Sequence, residues 1–337
     1  MALKDHPPTI ARHVIPVLAL LSAAVPGGAA EPKRPIVSHV TVGVKDLEFA
    51  LKTWRDEFGF EVIARREGPD ATLGRLWGIE PARVRRQALV GTPGLQKARL
   101  HLVEFDRPEA PVREGAASTD LGPKNLDVAC RDLPKKYDAL LRKGQKFRSP
   151  WVEYPFEGKR VREVQMPGHD QTNLVLVEIV GDRAPYSAKG CAGLTSFVVV
   201  SPNPDADQRF FTEVLGFALG GSHLLKGPEI EKMVGLPKGA GLDMRLFGPK
   251  DDPFGRIEVV HYEGIAGVDR FIRAHPPALG TLHVTLFVEA LAPAIKAAIA
   301  HRSRVREHGP VDTIYGKGQA ATVFAPNGLR VELMERR

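Results

Sequence analysis

Cysteine is nearly missing from this chain. Cys130 and Cys191 are the only two, so a disulfide-rich scaffold is excluded and one optional disulfide is the most they allow. Their spacing is not of metal-binding type, and Cys130, within an apolar extended stretch, reads as a small buried hydrophobe. Long apolar runs are missing too, which excludes a multi-span membrane protein. No phosphate-cradling glycine loop, dinucleotide-binding glycine pattern or serine nucleophile elbow stands out. Nor is there a basic stripe interleaved with aromatics. The formal net charge is +7, yet Lys and Arg are scattered among acids. That pattern fits a solvated basic surface and gives no nucleic-acid partner, while leaving anionic small substrates compatible.

The chain does have length, a distinct leader and a repeat. Its 337 residues suffice for two ordinary domains once the leader is set aside. Lys4 and Arg12 precede an apolar run from Val14 to Val25, and Gly28-Ala29-Ala30 follows before Glu31. Basic start, short apolar run and small residues at the end are the order of a secretory signal. The run is too short to cross a bilayer comfortably. The expectation is a signal peptide over 1–30 and a periplasmic or secreted mature protein with no membrane attachment; a buried N-terminal helix or an uncleaved anchor is the competing reading.

The repeat is the strongest signal. Residues 36–60, IVSHVTVGVKDLEFALKTWRDEFGF, parallel residues 193–217, GLTSFVVVSPNPDADQRFFTEVLGF. Each is an apolar strand, a polar turn with Asp46 or Asp205 suited to a helix N-cap, an amphipathic helix, and a Gly suited to its C-cap. ARLHLVEF at 98–105 then matches GRIEVVHY at 255–262 as a closing strand. Two shorter units, starting at LGPKNLDVACRDL (121–133) and LGTLHVTLFVEAL (279–291), run through a helix to closing strands LVLVEIV (174–180) and LRVELME (329–335). The chain is therefore long, short, long, short. Four βαβββ modules predict an α+β fold, paired into two open eight-stranded barrels whose concave faces can take a ligand. By sequence the halves are 35–180, holding modules one and two, and 193–336, holding modules three and four. Segments 107–124 and 181–193 read as connectors.

This pattern, with a His opening modules one and four and APNGLRVEL near the end, resembles the vicinal oxygen chelate superfamily: glyoxalase I, extradiol dioxygenase and bleomycin-resistance relatives. The resemblance covers nearly all of 35–335. In metal-dependent relatives each module offers one ligand position on its first strand and one on its last. Carried over, these are His39 and His101 in module one, Asn125 and Val175 (or Glu178) in module two, Ser196 and Glu258 in module three, and His283 and Glu332 in module four. Spacing supports the mapping: His101 lies 62 positions after His39 (101 − 39), as Glu258 does after Ser196 (258 − 196). Modules one and four keep a metal-competent group at all four of their positions, whereas modules two and three keep only Glu258 as a good ligand. That favours pairing one with four and two with three; pairing one with two and three with four would leave no cup complete.

The resemblance implies a metal set of His39, His101, His283 and Glu332 around a divalent ion, Fe, Ni, Zn or Mn, with imidazole and carboxylate suited to a borderline cation. It implies a metal-dependent enzyme acting on a small vicinal-oxygen substrate, an isomerase or lyase of glyoxalase type or a dioxygenase, with Glu332 as the catalytic base. His101 stands where glyoxalases commonly carry Glu, a departure from their set. The alternative is a metal-free exported binding or sequestering protein of bleomycin-resistance type. The partner is a small molecule, the assembly a monomer or homodimer. Glu104, Glu178 and Glu335 fall three residues past the ligand positions, on the opposite strand face, and are expected to be solvated. His169 and His308 are expected in surface turns, and Trp77 in the core or at the rim. Tyr315 lies in a loop that could lid the cup.

Overall fold

In the computed structural model the described residues are 35–249 and 252–336; the expected leader lies outside them. Module one comprises β1 (Ile36–Val44), α1 (Leu47–Leu51), β2 (Glu61–Glu67), α2 (Ala71–Trp77), β3 (Val84–Gly91) and β4 (Arg99–Phe105). A short strand, β5 (Glu109–Pro111), follows. Module two holds β6 (Gly122–Cys130), α3 (Leu133–Arg142), β7 (Val152–Phe156), β8 (Lys159–Pro167) and β9 (Asn173–Ile179). Module three holds β10 (Cys191–Val200), α4 (Pro204–Arg209), β11 (Leu219–Leu225), α5 (Pro228–Val234), β12 (Leu242–Phe247) and β13 (Arg256–Tyr262). Module four holds β14 (Ala278–Val288), α6 (Leu291–Ala300), β15 (Val305–Thr313), β16 (Gly316–Phe324) and β17 (Arg330–Arg336).

These strands form two open, curled sheets. One runs β15-β16-β17-β14-β1-β4-β3-β2, the other β11-β12-β13-β10-β6-β9-β8-β7. Modules one and four thus share one sheet and modules two and three the other, so each half of the sequence gives one module to each. The seams are antiparallel, β1 with β14 and β6 with β10. Within every module the first strand lies parallel to the last. Part of the expected connector 107–124 joins in as well, since β5 pairs with β14.

Strand alternation divides the side chains of β1 between two environments. Val40, Val42 and Val44 are fully buried against Leu47, Leu51 and Trp54 on the helix side. That apolar core includes Leu126, Phe197 and Val284 from the other modules. His39 and Thr41 point the other way, into the cup. The first cup has its own apolar floor around Leu73, Trp77 and Val103, the second around Val198, Met233 and Val260.

The helix starts refine the sequence reading. Asp46 caps α1, its carboxylate accepting from Phe49 N at 3.1 Å. At α4 the cap is Asn203, accepting from Ala206 N at 3.1 Å, and not Asp205. Pro204 is ready-made for the first helical position and moves the cap one residue before it. Glu104, Glu178 and Glu335 are not merely solvated: they accept from Leu47 N, Leu133 N and Leu291 N at 2.9, 3.0 and 2.8 Å. Because the last strand of a module runs parallel to its first, its end sits beside the helix start, where orphan amides and a positive partial charge attract a carboxylate. Module three carries His261 there instead, with Nδ1 3.0 Å from Ser201 O. Cys130 is no plain hydrophobe; it forms a disulfide with Cys191 across the β6–β10 seam.

Candidate functional site

The β1–β14 seam sets two cross-strand rows side by side in the first cup. In one row His101 lies beside Thr41, and Thr41 opposite His283. In the next, His39 lies opposite Thr285, and Thr285 beside Glu332. All four sequence-predicted ligands are therefore in one cup and nearly inaccessible, Glu332 at 3% and the three histidines at 0%. The His39 and His101 rings are 5.5 Å apart, and His283 Nε2 is 3.3 Å from Glu332 Oε1.

Two imidazoles are anchored at one nitrogen only. His101 Nε2 meets Gln87 Oε1 at 2.9 Å, while Gln87 Nε2 donates to Asp70 Oδ2 at 2.8 Å. Since the Gln87 amide is turned toward Asp70, its oxygen must accept from His101 Nε2–H, which leaves Nδ1 with the lone pair. That Nδ1 is buried without a partner. His39 Nδ1 meets Ser38 Oγ at 3.0 Å, and its Nε2 is likewise unpartnered. His283 Nδ1 has no partner either. Burial pushes all three imidazoles down, His101 to about 3, although at His283 the Glu332 carboxylate works against it, so they are neutral. Burial alone would raise the Glu332 carboxyl, but His283, Arg330 and Trp77 outweigh it and hold Glu332 well below the usual carboxylate range.

Trp77 and Arg330 escaped the sequence reading as members of this site, whereas Tyr315 was already placed in a loop at the cup. Trp77 Nε1 donates to Glu332 at 2.8 Å, and Arg330 Nη2 lies 3.1 Å from the same oxygen. The ring of Tyr315 is buried 4.2 Å from that of His39 and 5.4 Å from that of His101. Of the two missed residues, Arg330 left a usable signal, since it stands two positions before Glu332 on a strand and so shares its face. His308, expected in a turn, lies on β15 facing Thr322 at 2.9 Å, and burial lowers it to about 4. His169 is not at the surface: it is 6% exposed and accepts from Trp54 Nε1 at 2.8 Å.

The donor set suits a divalent ion of borderline softness: three neutral imidazoles with unpartnered nitrogens and one ionised carboxylate. Anchoring one imidazole nitrogen while leaving the other bare is what a metal-ligating His needs. Among the described residues, however, no group of three or more His, Cys, Asp or Glu side chains is already drawn into a metal-holding arrangement.

No protein-family model and no curated protein matches this sequence. Similar solved structures are glyoxalase I from Zea mays, at TM-score 0.63 and 14% identity over 89% of this chain and 92% of that one, and a Bacillus subtilis protein assigned as a dioxygenase, at TM-score 0.55 and 12% identity over 89% and 84%. These likenesses establish the architecture: the chain has the vicinal oxygen chelate fold, α+β, with two open eight-stranded sheets.

Proposed function

We propose that the cup of modules one and four is the centre of a divalent-metal-dependent enzyme. Its substrate is a small molecule with adjacent oxygens, and its reaction is isomerase or lyase chemistry of the glyoxalase type, or a dioxygenation. The observation that carries this reading is the trio of buried, neutral imidazoles with unpartnered nitrogens beside the Glu332 carboxylate. His39, His101, His283 and Glu332 would hold the ion, Fe, Ni, Zn or Mn. Once bound it supplies Lewis-acid polarisation of the substrate oxygens. Tyr315 and Trp77 wall the cup and exclude water. Glu332 takes the base role only as far as Arg330 and Trp77 release it, because a carboxyl held so low accepts a proton poorly.

One observation favours a second reading, a metal-free sequestering protein: Glu332 already has Trp77 and Arg330 as partners. Elemental analysis separates the two. Wild-type protein exposed to Fe, Ni, Zn and Mn is expected to retain about one equivalent of one of them, with His283→Ala losing most of it and Glu332→Gln losing turnover. His275→Ala is the control, since its side chain is 49% exposed. Wild-type protein that stays metal-free yet binds a small ligand overturns the enzyme reading.

We also propose that the mature protein is exported. The Cys130–Cys191 disulfide supports this, since such bonds persist in oxidising compartments. N-terminal sequencing from native cells should begin near Glu31; an intact cytoplasmic Met1 form would refute export.

A further inference from the structure

The second cup carries charge for which the first cup's chemistry has no use. Asp127 of β6, Glu163 of β8 and Glu258 of β13 line a cavity in the sheet of modules two and three. The same three, with Lys124 and Tyr262, line an adjoining cavity. Asp127 lies opposite Ser196 as Thr285 lies opposite His39, so it holds in this cup the place Thr285 holds in the other.

Asp127 is 6% exposed, and its Oδ1 has no hydrogen-bond partner. An unsatisfied buried carboxylate oxygen is costly, and in a cavity wall it is an acceptor awaiting a donor. Two cations line this space beside the acids: Lys124, 4% exposed and donating to the Tyr262 hydroxyl, and Arg256. Burial, then the neighbouring carboxylates, holds Asp127 well above the ordinary carboxylate range, and burial holds Glu163 at about 7. With Lys124 and Arg256 beside them, the three acids remain one cation short. Phe156, Val161, Met244 and Leu246 give the cavity an apolar wall.

We propose that the second cup binds a small organic ammonium ion: a primary amine on an apolar or aromatic body, with Asp127 Oδ1 accepting from the ammonium and Glu163 and Glu258 flanking it. Three acids against Lys124 and Arg256 leave one acid in excess, which matches a single cation and disfavours an anion. A neutral apolar ligand would leave Asp127 unsatisfied. A bare divalent ion fits poorly, because among the described residues these acids are not drawn together as a metal-holding group. An ammonium brings three N–H donors that can reach separate carboxylates, and the aromatic and aliphatic wall takes its body.

The test is calorimetric titration of the full chain with benzylamine and, as its neutral isostere, benzyl alcohol. Benzylamine is expected to bind at one site per chain, with benzyl alcohol at least about tenfold weaker. Asp127→Asn should weaken benzylamine by about tenfold or more without affecting benzyl alcohol. Glu258→Gln provides a second variant should Asp127→Asn fold poorly, and should weaken benzylamine in the same direction. His283→Ala, in the other cup, should leave benzylamine binding unchanged; this also separates failure here from failure of the metal reading. Equal binding of amine and alcohol, no binding of either at millimolar concentration, or binding unaffected by both acid variants overturns the proposal.

Discussion

His101 shows how a single side chain is prepared for work by residues that never touch the ligand. Asp70 caps α2 through Leu73 N and at the same time holds Gln87, which orients His101. A helix cap and a ring orientation therefore share one carboxylate. Gln87→Met keeps the volume but removes the acceptor, freeing the imidazole to turn. If the first cup holds a metal, this change is expected to weaken metal affinity by about 10–100-fold while leaving the fold intact. Competition with a chelator, read beside a thermal melt, measures both. Unchanged affinity would show that the Asp70–Gln87–His101 chain is packing alone.

At the scale of elements, a strand end capping a helix start recurs in three modules. Glu104 serves Leu47 N and also bonds Arg86 Nε at 2.9 Å; it is 2% exposed. Glu335 serves Leu291 N from a partly exposed position. Removing a buried, charge-assisted acceptor strands its donors, whereas an exposed one is replaced by water. Glu104→Ala is thus expected to destabilise the protein by about 2–3 kcal/mol and Glu335→Ala by about 1 kcal/mol. Urea denaturation of the two variants checks the order; equal losses would show that burial of the cap does not matter. The sequence signal here was misleading. A Glu three residues past a ligand position does face away from the cup, but that face is covered by the module's own helix.

Taken whole, the molecule is cut differently by its sequence and by its sheets. Residues 35–180 contain half of each sheet, with β1 lacking β14 and β6 lacking β10. Both seams would then present open strand edges, which pair or aggregate. Expressed alone, 35–180 and 193–336 are each expected to lack a sharp cooperative unfolding transition, and on co-expression to assemble as a 1:1 complex. Size-exclusion chromatography with chemical denaturation tests this. A monomeric 35–180 fragment unfolding as sharply as the full chain would refute it.

Much of this protein was determined by sequence alone. Period-two alternation fixes which residues of β1 share a face, so His39 and Thr41 had to separate from Val40 and Val42. The repeat marked out the four modules, and the family resemblance, supported by spacing, put His39, His101, His283 and Glu332 at corresponding first-strand and last-strand positions before any contact was known. Concentration of ligands in modules one and four pointed to the pairing, but only the β1–β14 seam decided it, because local pattern carries no information on which distant edges meet. Long-range packing likewise decided what surrounds the ligands. Trp77 reaches Glu332 across 255 positions of sequence, and no local rule encodes such a contact. The Asp127–Glu163–Glu258 cavity was hidden for the same reason: Glu258 was legible as a ligand position, but Asp127 and Glu163 left no signal, and only the closing of the second sheet gathers the three together.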